Sequence, residues 1–207
     1  MIPVQILAVR YLASATDSLC RQLGAPEGYP CLGLITTDCD DATYIALDEA
    51  TKSAEVQVCF GQSFYAGAAN ASTPYAGEVL GILCGTTPGA VRSGMDAVVG
   101  ALQRIGFERS GDVPYLAYTV SSCGSFLASE AGVQEGSALA YLIAPPRESM
   151  YALDLALKSA DVALCKLYAP PSPTNFGGGL LTGTQSACNA ACNAFAQAVA
   201  EVARQPK

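Results

Sequence analysis

ALDLALKSADVALC, residues 152–165, repeats ALDEATKSAEVQVC, residues 46–59, with nine of fourteen positions identical and the Ala-Leu-Asp and Lys-Ser-Ala triplets at the same internal spacing. Shared helix propensity alone does not reproduce such a match, so the chain reads as a tandem duplication. Each copy reads as a helix running into a strand. Ala46, Ala50 and Ala54 fall at i, i+4, i+8, and Ala152, Ala156 and Ala160 repeat the stripe, which lets a helix lie close on a sheet. Asp38, Asp40 and Asp41 precede the first helix, whose body spans 43–53. They place negative charge and a candidate N-cap where free backbone N–H groups and the helix dipole favour both. Strand-like segments, 56–60 and 162–168, follow.

A looser correspondence links GILCGTTPGAVRSGMDAVVGAL, 81–102, with GLLTGTQSACNAACNAFAQAVAEV, 179–202. Both read as strand, glycine turn, helix, and Thr87 and Pro88 form an N-cap and N1 pair. Cys188, Cys192, Phe195, Val199 and Val202 share one apolar helix face, so both cysteines read as core. With a further strand near each start, 4–12 and 115–121, each half combines helices with hairpin-type connections. That pattern predicts an α+β class, an antiparallel sheet with helices on one side. The boundary is placed in the Gly/Pro/charge-rich stretch 106–114, giving domains 1–108 and 109–207. The long segments 61–77 and 170–179 are read as loops, which at that length are usually functional or mobile.

The 207 residues suffice for one large or two small domains with a real core. They are 51% hydrophobic and only 14% charged, against a usual charged share of about a quarter. So few charges leave little solvated surface, and much of the outside is expected to be covered by other subunits. Net charge is −7 without a run of Lys or Arg, which argues against nucleic acid and against anionic membrane as partners. No apolar run approaches the roughly eighteen residues of a membrane span. The start, MIPVQILAVRYLASA, lacks a basic n-region and is interrupted by Arg10; it reads as a strand of a cytosolic protein rather than a signal peptide. The nine cysteines are odd in number, scattered and without CxxC, and histidine is absent. Neither a disulfide scaffold nor a zinc site is expected, nor any other metal or cofactor. Asp38-x-Asp40-Asp41 superficially resembles an acidic metal motif. No second carboxylate cluster, histidine or activated nucleophile joins it, so no catalytic residues and no enzyme are expected.

The long strings CLGLITTDCDDATYIALDEATKSAEV (31–56), QSFYAGAANASTPYAGEVLGIL (62–83), AYLIAPPRESMYALD (140–154), APPSPTNFGGGLLTG (169–183) and QSACNAACNAF (185–195) carry a further signal. Together with Lys-Ser-Ala-Glu-Val and Lys-Ser-Ala-Asp-Val, they resemble the tandem-domain shell proteins of bacterial microcompartments, in particular the L-type of the ethanolamine-utilisation compartment. The resemblance covers nearly the whole chain and departs most in 103–114 and in the cysteine count.

It implies two circularly permuted shell domains per chain and a homotrimer, a pseudohexamer, that tiles the compartment shell within the cytoplasm beside other shell proteins. Lys52 and Lys158 match edge lysines that meet neighbouring tiles, their stems covering apolar edge; without the resemblance each reads as a helix-end charge. Asp40, Asp41, Tyr65, Glu78 and Phe107 match positions around a small pore in each subunit, where carboxylates and an aromatic face suit protonated ethanolamine. Cobalamin is the larger occupant that the resemblance implies for the pores. Thr174, Asn175, Phe176, Gly177, Gly178 and Gly179 match the loop at the central, gated pore. The alternative function is a trimeric amine-binding sensor, separated from a shell tile by its failure to form sheets.

Overall fold

The computed structural model describes residues 1–64, 78–170 and 172–205. Its elements run β1 (Ile6–Leu12), α1 (Asp17–Gln22), β2 (Cys31–Thr37), α2 (Asp40–Ser53), β3 (Val56–Ser63), β4 (Val79–Gly85) and α3 (Pro88–Leu102). There follow β5 (Glu108–Ser110), β6 (Val113–Val120), α4 (Ser125–Ala131), β7 (Ala138–Ala144), α5 (Pro146–Ser159), β8 (Val162–Tyr168), β9 (Gly177–Gly183) and α6 (Gln185–Arg204). The chain divides into two compact units. The N-terminal unit comprises Pro3–Ile105 with Gly124–Leu127, and the C-terminal unit Met1–Ile2, Gly106–Cys123 and Ala128–Lys207.

In the N-terminal unit an antiparallel sheet has the order β1-β2-β4-β3. Glycines in its two central strands let the helices lie close. A Cβ on Gly33 would stand 2.7 Å from Met95 Cγ on α3, and one on Gly81 the same distance from Leu47 Cδ1 on α2. Helix α3 starts as its sequence predicts, with Thr87 accepting from the Ala90 N–H at 3.1 Å and Pro88 in the first turn. The other face of the sheet, with Leu32, Ile82 and Cys84, is covered by Ala15, Leu23, Ala25 and Tyr29. These flank α1, a helix too short to show periodicity in the sequence. Its signals are a Thr16 cap on the Leu19 N–H and a left-handed Gly24 (φ 76°) just beyond its end.

The C-terminal unit holds an antiparallel sheet ordered β5-β6-β7-β9-β8. Strand β7 is buried along its whole length. Ala138, Ala140, Leu142 and Ala144 face a core shared with Ala152, Leu153 and Ala156 of α5 and Phe195 and Val199 of α6. Tyr141, on the opposite face by strand alternation, stacks on Tyr168 with ring centroids 6.1 Å apart. Cys188 and Cys192 lie in the helix-facing core, as their spacing predicts. The Thr119 hydroxyl donates to Cys192 Sγ at 3.3 Å, and burial pushes that thiol up to about 11.

The stretch 106–114, where the boundary is placed, contains strand β5 and the turn into β6, and Glu108 pairs with the Met1 ammonium at 3.0 Å. The loop read over 170–179 ends at Phe176, because Gly177, Gly178 and Gly179 pair with Ala144, Ile143 and Leu142 in the sheet. These glycines are needed for close approach rather than for swing. A Cβ on Gly178 (φ 152°) would lie 1.8 Å from the Leu142 carbonyl oxygen, and one on Gly179 2.5 Å from that of Lys166. Among the described residues no helix is long and apolar enough to cross a membrane.

Candidate functional site

The acidic segment 38–41 bridges β2 and α2. Strand β2 ends at Thr37, whose buried hydroxyl lies 2.7 Å from that of Thr43 and donates to the Cys39 carbonyl at 2.9 Å. Thr37 also accepts from the Cys39 N–H at 3.1 Å. This knot sets the turn, and the N-cap is Cys39 rather than an aspartate. Asp38 is engaged elsewhere, its Oδ1 accepting from the Gln5 N–H at 2.7 Å. Asp40 Oδ1 accepts from the Asp41 N–H at 2.9 Å. Both aspartates are only 7% exposed and sit in the first turn of a fourteen-residue helix, where the dipole favours negative charge.

Glu78 joins them through the backbone. Its N–H donates to the Thr37 carbonyl at 2.8 Å and its own carbonyl accepts from Phe64 at 3.0 Å, which pins it just ahead of β4, next to the end of β2. Burial, then Asp40 and Asp38, push the Glu78 carboxyl up to about 7. One turn into α2, Tyr44 meets Ser63 Oγ at 2.5 Å and packs its ring on Phe126, 6.1 Å between centroids. Burial, then Asp40 and Asp41, push its phenol up to about 12. Burial likewise raises the Cys39 thiol, with Asp41, Asp40 and Glu78 adding to the rise. Tyr44 and the Thr37–Thr43 pair had no separate signal in the sequence, because each needs a partner brought in by the sheet.

The corresponding helix start in the C-terminal unit has diverged. Helices α2 and α5 are both fourteen residues long, and Pro146 and Arg147 stand where α2 has Asp40 and Asp41. Arg147 forms an ion pair with the buried Glu148. The acidic cluster belongs to one repeat.

The other residues singled out are distributed as follows. Tyr65 lies outside the described residues. Phe107 is in the C-terminal unit, its ring 5.5 Å from that of Phe176. The turn ahead of β9 is tied together: Asn175 N–H donates to the Ser172 carbonyl at 3.0 Å, Phe176 N–H donates to Ser172 Oγ at 3.2 Å, and Thr174 Oγ1 lies 3.3 Å from that same hydroxyl. Asn175 is left-handed (φ 65°). Lys52 and Lys158 sit in the last turns of α2 and α5 and pair within their own helices, with Glu49 and Asp154, each at 2.5 Å.

Among the described residues no group of three or more His, Cys, Asp or Glu side chains is arranged to hold a metal ion. The cluster pairs carboxylates with a raised phenol and a raised thiol. That arrangement concentrates negative charge at one helix start.

A profile of the BMC domain matches residues 31–115. The chain is 52% identical, over its whole length and 97% of the relative's, to "Bacterial microcompartment shell protein EutL" of Clostridium perfringens (strain 13 / Type A). The crystal structure of ethanolamine utilization protein EutL from Leptotrichia buccalis superposes with a TM-score of 0.95 at 53% identity, covering 99% of this chain and 96% of that one. The trimeric bacterial microcompartment shell protein PduB superposes with a TM-score of 0.79 at 20% identity, over 95% and 88% of the two chains, a likeness of fold.

Proposed function

The chain belongs to the EutL family of bacterial microcompartment shell proteins, and on that premise we propose that three copies close into a pseudohexameric tile that admits a small protonated amine at Asp40, Asp41 and Glu78. The family membership makes it a structural shell protein of the ethanolamine-utilisation type, not an enzyme. The proposal adds the assembly, the pores and the ligand. Repeats 1–108 and 109–207 supply alternate edges of the tile. Lys52 and Lys158 meet neighbouring tiles and other shell proteins. The turn 174–176 lies at the gated central pore, with Gly177–Gly179 anchoring it in the sheet; cobalamin is the alternative occupant of the pores, and Tyr65 and Phe107 add aromatic surface to the small ones.

The observation that carries the amine reading is the crowding of Asp40, Asp41 and Glu78 at one helix start, with Glu78 held near neutrality by the cost of a further buried negative charge. A cation lowers that cost. Its entry draws Glu78 back to the ionised form, so binding releases protons. Binding is expected to be weak: four heavy atoms at about 1.5 kcal/mol each allow about 6 kcal/mol, a Kd no tighter than tens of micromolar.

Calorimetry with ethanolamine near pH 6.5 tests this reading. The expected result is a heat that varies with the ionisation enthalpy of the buffer, because protons are released, and that vanishes in Asp40→Asn/Asp41→Asn/Glu78→Gln. Equal binding by parent and triple variant overturns it. Light scattering of the parent is expected to give the mass of three chains.

A further inference from the structure

The two sheets differ in what fills the face turned away from the long helices. In the N-terminal unit β3 and β4 pair regularly from Val56 opposite Gly85 to Val58 opposite Leu83. The register then shifts, so that Phe60 pairs with Ile82 and Cys59 is the extra residue. A bulge of this kind frees one residue from the ladder and re-aims its side chain. Cys59 Sγ lies 3.6 Å from the Ile82 carbonyl oxygen, and the side chain packs with Ile82 and Cys84 on that face. There the thiols of Cys59 and Cys84, both free, share a side-chain hydrogen bond.

That hydrogen bond makes the two sulfurs one titrating unit. It holds the Cys84 thiol below its ordinary value and raises that of Cys59, with burial adding to the rise. The pair therefore parts with one proton and keeps the other between its sulfurs. Cys84 is fully buried and Cys59 half-buried, so Cys59 is the sulfur that a small reagent meets. Its cover is α1. A Cβ on Gly24 would stand 3.6 Å from the Cys59 carbonyl oxygen, and Cys20 lines an open cleft of about 480 Å³ with Arg21, Ala25 and Tyr29.

The C-terminal unit supplies an internal comparison. GILCGTT, 81–87, aligns with GLLTGTQ, 179–185, so Thr182 stands where the first repeat has Cys84. Cys165 stands where it has Cys59, at the same register shift, here between β8 and β9. Thr182 donates its hydroxyl to the Ala138 carbonyl at 3.0 Å, and Cys165 bonds to the Thr182 backbone. The bulge thus forms without a sulfur opposite it, and the thiol pair is an addition confined to one repeat.

We propose that Cys59 and Cys84 are a redox-active dithiol, which hydrogen peroxide converts to a disulfide that fastens β3, the end strand of its sheet, to β4. Movement of the shared proton to Cys84 leaves a thiolate on Cys59, which attacks one peroxide oxygen. The O–O bond breaks, Cys59 becomes a sulfenic acid, and the departing hydroxide takes up a proton as water. The Cys84 sulfur, losing its proton, then attacks the sulfenic sulfur. The S–S bond forms, the S–O bond breaks, and a second water leaves. Two thiols give up two electrons and peroxide is reduced to two waters. The bond closes the loop 59–84, which restricts the unfolded chain, and a dithiol reverses it by exchange.

The test uses the full chain, reduced, exposed to hydrogen peroxide, alkylated and digested for mass spectrometry. The expected result is an intact chain lighter by two hydrogens, a peptide linked through Cys59 and Cys84, and recovery of both thiols with dithiothreitol. The oxidised chain is expected to unfold at least about 5 °C higher than the reduced one. Cys84→Thr copies the residue of the second repeat. It is expected to match the circular dichroism of the reduced parent, to form no link and to gain no thermal shift on oxidation, with its Cys59 passing on to the sulfinic acid. Cys59→Ser is expected to form no link either. A parent that stays unlinked, a link from Cys59 to Cys20 instead, or a thermal shift that persists in Cys84→Thr overturns the proposal. The peptide map of the parent decides the matter even where a variant fails to fold.

Discussion

Glu78 and Gly178 show how single positions carry costs that the fold imposes. The Glu78 carboxyl is raised in the folded chain, from about 4.5 to about 7, first by burial and then by Asp40 and Asp38. Between those values the folded state binds more protons at this group than the unfolded one, so the contribution of Glu78 to stability is greatest below pH 4.5 and is lost as pH rises through 7. After allowance for solvent screening the loss is of order 1–2 kcal/mol. Urea unfolding of the parent is expected to show this decline and Glu78→Gln to lack it; parallel pH profiles would remove the shift. Gly178→Ala has no room for its methyl group against the Leu142 carbonyl. Its φ of 152° also disfavours any side chain, so a loss of about 3–5 kcal/mol is expected in the same assay.

Among the elements, α2 and α5 begin from nearly the same sequence and end with different duties. Asp48 satisfies two backbone N–H groups in a buried place. Asp48→Ala strands both and is expected to cost about 2–4 kcal/mol. By contrast Lys158→Ala removes a surface pair at i, i+4 and is expected to change chain stability by less than about 0.5 kcal/mol. Unfolding midpoints that fall equally in the two variants would contradict this division. The aspartate was visible in the repeated triplet, but its burial was not. Nothing local to ALDEATKS says which copy will meet a turn some seventy residues further along. For the same reason α1 and α4 escaped the sequence reading, each being only one or two turns long and held by its contacts rather than by its own periodicity.

At the scale of the whole molecule, duplication allows one repeat to keep an acidic helix start while the other replaces it with Pro146 and Arg147. The proposed tile follows from such asymmetry, with six edges built from two kinds of repeat. Lys52→Ala and Lys158→Ala are expected to leave the trimer intact by light scattering and to reduce extended sheets seen by electron microscopy. Sheets as extensive as the parent's in both variants would return these lysines to the helix-end role that their ion pairs with Glu49 and Asp154 already describe.

The duplication, the α+β class, the helix-to-strand order and the cysteine-lined core of α6 were all legible in the chain, because periodicity and repetition are local properties that burial preserves. The acidic segment was legible as chemistry too, since four carboxylates across 38–41 and 78 needed only one strand pairing to meet. Other features arose from distance. Cys39 became the N-cap because the Thr37–Thr43 hydroxyl pair closed the turn first. Gly177–Gly179 became strand because β7 offered them a ladder and left no space for side chains. Asp48 and Asp154, the same residue in the same triplet, parted because a polar group's fate depends on which backbone donors the folded chain brings within 3 Å of it, and those donors lie far away in sequence.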